Sequence, residues 1–377
     1  MALISSTSGS KLAANEPISV RIVDADVHPT PRNDEDLMEF LPEDFRRRGV
    51  PEQAFERQGG NVGNVYVTPD RTMRMDADPP DGQPAGSDPA LLERQLFSEA
   101  EVDYAILIPL TGRPTPNPEH EAAVCAATNE WLAATWLSQY NHHRRYRGSI
   151  QIASTDTNLA IREVEKWAGD HRFVQAMINP YSTVPLGHPD RHALYEVVAE
   201  AGLPLALHVI RSNGLRLQSP VGFPSYYLEF HPAYSILYWT HLASLIFGGV
   251  FEKYPNFKLV LVEGGFSWIV PFMWRMDRHW ERFRREVPAA KRPPSEYVYE
   301  SVRLTTQPLE EPRAVADFQK LCDIGHADKL LLFATDYPHW DFDSPEWVKT
   351  RLPRVQRDAI MYRNALELYG LPAYRQA

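Results

Sequence analysis

Eight short apolar runs, separated by helix-like segments, set the tightest limit on how this chain can fold. They lie at residues 21–29, 102–109, 146–153, 173–180, 203–209, 258–265, 302–308 and 329–336. Continuous apolar strands that alternate with helices imply a parallel sheet covered on both faces. Eight such units favour an α/β fold of the (β/α)8 TIM-barrel type. A doubly wound open sheet would want a Gly-rich phosphate loop after an early strand. The nearest candidate, Gly59-Gly-Asn-Val-Gly63, falls in a long irregular segment instead.

Helix-like segments are read at 91–101, 119–137, 159–168, 192–201, 237–254, 268–285, 312–322 and 354–369. Ala122, Cys125, Ala126, Trp131 and Leu132 are spaced to form an inward stripe on the second of these. Two stretches, 34–88 and 210–235, are rich in turn residues and lack a sustained period. Long insertions inside an otherwise compact pattern are usually functional, so both are expected to fold over the C-terminal mouth of the barrel. Residues 1–18 are read as a flexible tail and 19–377 as one domain.

Composition narrows the partners. The chain carries 39 Lys plus Arg against 49 Asp plus Glu, a net charge of −10, which argues against a nucleic-acid surface. No apolar run reaches the ~18 residues of a membrane span, and the first residues lack the pattern of a signal peptide. The two cysteines, Cys125 and Cys322, are far apart in apolar settings and read as buried thiols rather than a disulfide. A cytoplasmic protein acting on a small molecule is expected. The dense aromatics of the second insertion, Tyr226, Tyr227, Tyr234, Tyr238 and Trp239, point to a folded lid, shared across a homodimer.

Asp24, Asp26 and His28 alternate with Val23, Ala25 and Val27 in the first run. A strand has period two, so the three polar side chains leave one face together. A carboxylate and an imidazole two residues apart can reach one divalent ion. Alone, this stretch reads equally well as a strand with a solvated face. In a barrel, however, His208, Glu263 and Asp336 end strands five, six and eight at the same mouth. Each has a plain alternative: a core histidine, a helix cap before Gly264 and Gly265, and the start of a turn. Five ligand-type side chains on one rim favour a metal site. Its mixed nitrogen and oxygen donors suit one Zn²⁺ best, and Mn²⁺ also fits because two carboxylates harden the site. Such an ion lowers the pKa of bound water towards ~7. Asp336 and Glu263 are then the candidate acid–base groups.

The order Asp26-Val-His28, His208 and Thr335-Asp-Tyr-Pro-His339 resembles the amidohydrolase-related family. This branch of the amidohydrolase superfamily includes aminocarboxymuconate-semialdehyde decarboxylase and the resorcylate-type decarboxylases. Residues 245–265 and Trp274-Arg-Met-Asp277 are similar to it as well, and the resemblance spans roughly 20–368. It implies that Asp26, His28, His208 and Asp336 are metal ligands, with Asp336 also shuttling a proton. It also places His241 at the rim as a catalytic candidate. Arg211 is either a clamp for a substrate carboxylate or a surface arginine. His231 belongs to the lid and His339 orients Asp336, both beside the substrate. Relatives that decarboxylate usually have histidine where this chain has Glu263. That departure favours hydrolysis of an amide, lactone or related bond of a small organic substrate. Decarboxylation of an aromatic or enol acid is the alternative, and a pseudoenzyme is disfavoured by the intact ligand set.

Overall fold

The computed structural model describes residues 18–48, 72–112, 114–182, 184–210 and 225–375. Eight strands run in sequence order around one parallel sheet. They are β1 (Val23–Val27), β2 (Tyr104–Leu107), β3 (Tyr146–Ile152), β4 (Phe173–Ile178), β5 (Leu205–Leu207), β6 (Leu259–Leu261), β7 (Val302–Thr305) and β8 (Leu331–Leu332). The ring closes where Ala25 N–H donates to Phe333 O at 2.9 Å and Asp336 N–H to Asp26 O at 3.2 Å. Val27 and Tyr337 form a parallel bridge at the same seam. The fold is the (β/α)8 barrel that the eight apolar runs require.

Period two sorts the strand residues into two apolar layers. Leu205, Leu207, Leu259 and Leu261 join the large cluster shared with the helices. Their neighbours Ala206 and Val260 join Ile106, Met177 and Leu332 in a smaller cluster that fills the barrel. Both faces of β5 and β6 are therefore dry, which is why these two runs are continuously apolar.

The helices follow local signals. Asn117 caps the helix Pro118–Ala134, and Asp156 caps Thr157–Trp167, each side-chain oxygen accepting a first-turn N–H. The expected stripe on Pro118–Ala134 holds for Cys125, Trp131 and Leu132, which are buried, whereas Ala122 and Ala126 are only partly covered. The segment read as one helix over 237–254 is two, Ser235–Phe247 and Val250–Lys253. Gly249 separates them at φ 74°, a left-handed conformation that ends a helix and suits glycine. The helices Pro294–Ser301 and Pro345–Arg351 did not stand out in the sequence, because each is short and opens on a proline. Both cysteines are buried and free.

The described part of the first insertion lies against the mouth. Met73 pairs with His339 as an antiparallel bridge, and Thr30 N–H donates to Gly86 O at 3.0 Å. A Cβ on Gly86 would stand 2.6 Å from His28 O, so only glycine lets this loop approach β1 so closely. Residues 49–71 and 211–224, the middle of the first insertion and most of the second, lie outside the described residues, as do residues 1–17 of the tail read over 1–18, whose last residue, Ile18, pairs with Arg375 in a short antiparallel strand. Among the described residues, no helix is long and apolar enough to cross a membrane.

Candidate metal centre and active site

Asp26 lies within β1, and His28 follows it by one residue. His208 directly follows β5, and Asp336 follows β8 by four residues. All four are fully buried. Each offers one ligand atom, and these atoms lie within 4.8 Å of one another. His28 Nδ1 bonds Ile108 O and His208 Nδ1 bonds Val209 O, both at 2.8 Å. A carbonyl can only accept, so each Nδ1 carries hydrogen and each Nε2 faces the cage. That is the orientation a metal-binding imidazole needs.

The cage is electrostatically incomplete. Both Asp26 oxygens, Asp336 Oδ2 and His208 Nε2 are buried without a hydrogen-bond partner. Unpaired buried polar atoms are costly, and buried charges are normally paired or bound to metal. His28 Nε2 lies 3.2 Å from Asp26 Oδ1 and 2.7 Å from Asp336 Oδ1. Burial works against a charge on His28, but the two carboxylates prevail and raise its pKa to about 10. Burial would likewise raise Asp336, yet His339 and His28 hold it well below the usual carboxylate range. The geometry and the orphaned donors fit one divalent cation among two carboxylates and two imidazoles.

Two site carboxylates sit on unusual backbone. Glu263 has φ 59° and Asp336 φ 60°, a region that non-glycine residues rarely adopt. Such conformations persist where surrounding structure fixes them, and they concentrate at functional sites. Here Thr305 Oγ1 accepts the Glu263 N–H at 2.9 Å. Tyr238 donates its hydroxyl to Val262 O at 2.5 Å, and a Cβ on Gly264 would stand 2.4 Å from the Tyr238 ring. Gly264 therefore admits Tyr238, which holds the end of β6 that presents Glu263.

Glu263 is 7 % exposed and lies next to the cage rather than inside it. Its Oε2 is 3.6 Å from His208 Nε2, and its Oε1 is 3.6 Å from His231 Nε2. His231 belongs to a turn, His231–Ala233, in the described part of the second insertion, and Asp341 Oδ2 lies 3.4 Å from its Nε2. His339 Nδ1 bonds Asp336 Oδ1 at 2.5 Å. Burial opposes a charge on His339, but Asp336 raises its pKa overall.

His241 is placed differently from the sequence expectation. Its Nε2 bonds Pro180 O at 2.7 Å, and its Nδ1 accepts Leu186 N–H at 3.2 Å. Both nitrogens thus brace the loop after β4, leaving none for a substrate. Arg211 lies outside the described residues. Asp24 leaves the shared face as well: its carboxylate accepts the Thr335 N–H at 2.9 Å and hydroxyl at 2.6 Å, tying β1 to the end of β8. Sequence reasoning missed Asp341. Its signal was present in Asp336-Tyr-Pro-His-Trp-Asp341, where an acid recurs just beyond the strand-eight ligand.

The amidohydrolase family model matches residues 23–371. The chain belongs to the amidohydrolase family. It is 29% identical over 257 residues to a γ-resorcylate decarboxylase from Polaromonas sp. (strain JS666), covering 64% of this chain and 75% of the relative. A γ-resorcylate decarboxylase from Rhodococcus jostii (strain RHA1) is 24% identical over 300 residues, covering 74% and 86%. The fold also matches a dihydroxybenzoic acid decarboxylase from Polaromonas sp. JS666, solved with manganese and 2-nitroresorcinol. That match has a TM-score of 0.58 at 20% identity and covers 93% of this chain and 97% of the other. These relatives overturn the expectation of amide or lactone hydrolysis, since both curated relatives are decarboxylases. The expectation had rested on Glu263 alone, as a carboxylate suited to activating water. The structure puts an imidazole, His231, against that carboxylate. Glu263 is therefore not the sole acid–base group at its position, and its presence does not select hydrolysis.

Proposed function

We propose that this chain is a metal-dependent, non-oxidative decarboxylase of a hydroxylated aromatic carboxylic acid, with manganese as its ion. The observation that carries the reading is the buried cage of Asp26, His28, His208 and Asp336, in a chain related to two γ-resorcylate decarboxylases. Those four residues would hold the metal. When bound, the ion supplies positive charge that gathers the oxygens of a hydroxy acid and steadies negative charge spreading onto them. Manganese is favoured over zinc by the two carboxylates in the donor set and by its presence in the related decarboxylase.

The protein's own contribution is to orient the ring and manage one proton. The ring carbon that loses its carboxylate must end with a proton in its place, so an acid must stand over that carbon. Carbonyl acceptors at Ile108 and Val209 fix the imidazole tautomers of the cage. His339 anchors Asp336 through Oδ1. Glu263, His231 and Asp341 form the polar wall nearest the mouth.

The test is a panel of hydroxybenzoic acids, lactones and amides offered to purified protein of measured metal content. Release of carbon dioxide from an ortho-hydroxybenzoic acid, lost on chelation and restored by Mn²⁺, is the expected result. Ring opening or amide cleavage without carbon dioxide would reject the reading.

A further inference from the structure

One imidazole at the mouth stands apart from the others. His28 and His208 each commit Nδ1 to a carbonyl and turn Nε2 into the cage. His339 Nδ1 is held by Asp336, and His241 has both nitrogens bound to backbone. His231 Nε2 instead faces two carboxylates, Asp341 at 3.4 Å and Glu263 at 3.6 Å. Both distances are longer than a normal hydrogen bond, so the two acids draw positive charge onto the imidazole without either one holding its proton tightly.

The surroundings make this a directed proton. Glu263 touches His208 through one oxygen and His231 through the other, so a single side chain separates His231 from the cage. Tyr227, Tyr234 and Trp340 stand 5.3, 5.1 and 6.0 Å from the His231 ring, centre to centre. They pack around the imidazole, whose side chain is 13 % exposed. Asp341 is partly buried, with both carboxylate oxygens shielded from solvent and without a hydrogen-bond partner, and this desolvation raises its pKa to about 6. An acid of that strength can take a proton from solvent and pass it to a neutral imidazole.

We propose that His231, on the turn His231–Ala233 beside Glu263, delivers the proton that replaces the departing carboxylate. This assignment rests on the decarboxylase reading. In the step, a ring π-electron pair takes the Nε2 proton and forms a C–H bond at the carboxylate-bearing carbon. The C–C bond then breaks, its pair returns to the ring, and carbon dioxide leaves. His231 is left neutral and recovers its proton from Asp341, which is recharged by solvent. One proton is consumed for each carboxylate lost, and no oxidant or reductant is required.

The experiment compares the wild-type enzyme with His231→Gln and His231→Ala, all loaded with Mn²⁺, on an acid that the wild type decarboxylates. The wild type should also exchange the corresponding ring hydrogen of the phenolic product for deuterium in D2O. Both variants should keep their metal while kcat falls about 10²-fold, the usual loss for a general acid, with KM nearly unchanged. Ring exchange should fall in parallel, and added imidazole should restore part of it in His231→Ala. Retained kcat and exchange in His231→Gln, or a rise in KM alone, would overturn the assignment while leaving the decarboxylase reading intact. No carbon dioxide from the wild type across the panel would overturn that reading, and this assignment with it.

Discussion

The two ends of the barrel handle buried carboxylates in opposite ways. At the N-terminal end, Asp103 is 5 % exposed and fully engaged. Its Oδ2 accepts N–H groups of Arg21 at 2.7 Å and Ile22 at 3.1 Å, and its Oδ1 accepts from Arg375 Nε at 2.7 Å. At the C-terminal end, Asp26 is buried completely, and neither oxygen has a hydrogen-bond partner. A buried carboxylate that stabilises a fold has its charge matched by donors. One left unmatched, among imidazoles aimed the same way, is matched by something the chain does not encode. The contrast separates residues that close the barrel from residues that equip it, and substitutions can test that division.

The largest effect belongs to the cage. Asp26→Asn keeps the shape but removes the charge, so bound metal should drop below stoichiometric and turnover should fall by about 10³-fold or more. Metal analysis and kcat on the same sample check this. Full metal content in Asp26→Asn would break the comparison at its strongest point. Glu263→Gln should behave differently, since Glu263 stands beside the cage at 3.6 Å from His208. Its metal should remain, while kcat falls by about 10²-fold because His231 loses one of its two flanking charges. A variant that loses metal as completely as Asp26→Asn would move Glu263 into the ligand set.

Asp103→Ala probes the other end. It strands three donors, one of them a guanidinium, and should lower unfolding free energy by about 2 kcal/mol, the range for a broken buried charged network. Metal content and kcat of the folded fraction should be unchanged. Urea unfolding beside a metal assay decides it. A loss of kcat with unchanged stability would contradict the division of labour.

The same division governs what the sequence revealed. Strand period and the rule that barrel chemistry occupies strand ends were enough to gather Asp26, His28, His208 and Asp336, because each is on or close to a strand. Glu263 was visible for the same reason. Residues whose place depends on loops were not legible. His241 looked like a rim group, but the turn after β4 folds back and engages both its nitrogens. Asp24 shares the parity of Asp26, yet the approach of Thr335 draws it into the barrel seam. The contact between His231 and Asp341 joins segments more than a hundred residues apart, and no local pattern announces it. Reaction type was the least legible, because a carboxylate at the end of β6 serves more than one chemistry according to what packs against it, here His231.

Asp343 stands between the two extremes and gives the smallest effect. Its Oδ2 accepts the Leu309 N–H at 3.0 Å, a single backbone donor where Asp103 has two and a guanidinium. Burial raises its pKa from 3.8 to about 8, with the Leu309 bond opposing and Asp341 and Asp336 adding to the rise. Between those two values the folded protein holds a proton that the unfolded chain has released. Stability from this group is therefore complete below pH 3.8 and is lost as pH rises towards about 8. Asp343→Asn stays neutral and keeps an oxygen for Leu309, so it should remove that part of the pH dependence. Wild type and variant should unfold alike at and below pH 3.8, and the variant should be more stable by about 1 kcal/mol at pH 8, a value reduced from the full shift because the site is partly exposed to solvent. Urea titrations across that range supply the measurement. A variant less stable than wild type at pH 8 would mean that the ionised carboxylate is matched, as at Asp103, and would move Asp343 from the equipped end of the barrel to the closing set.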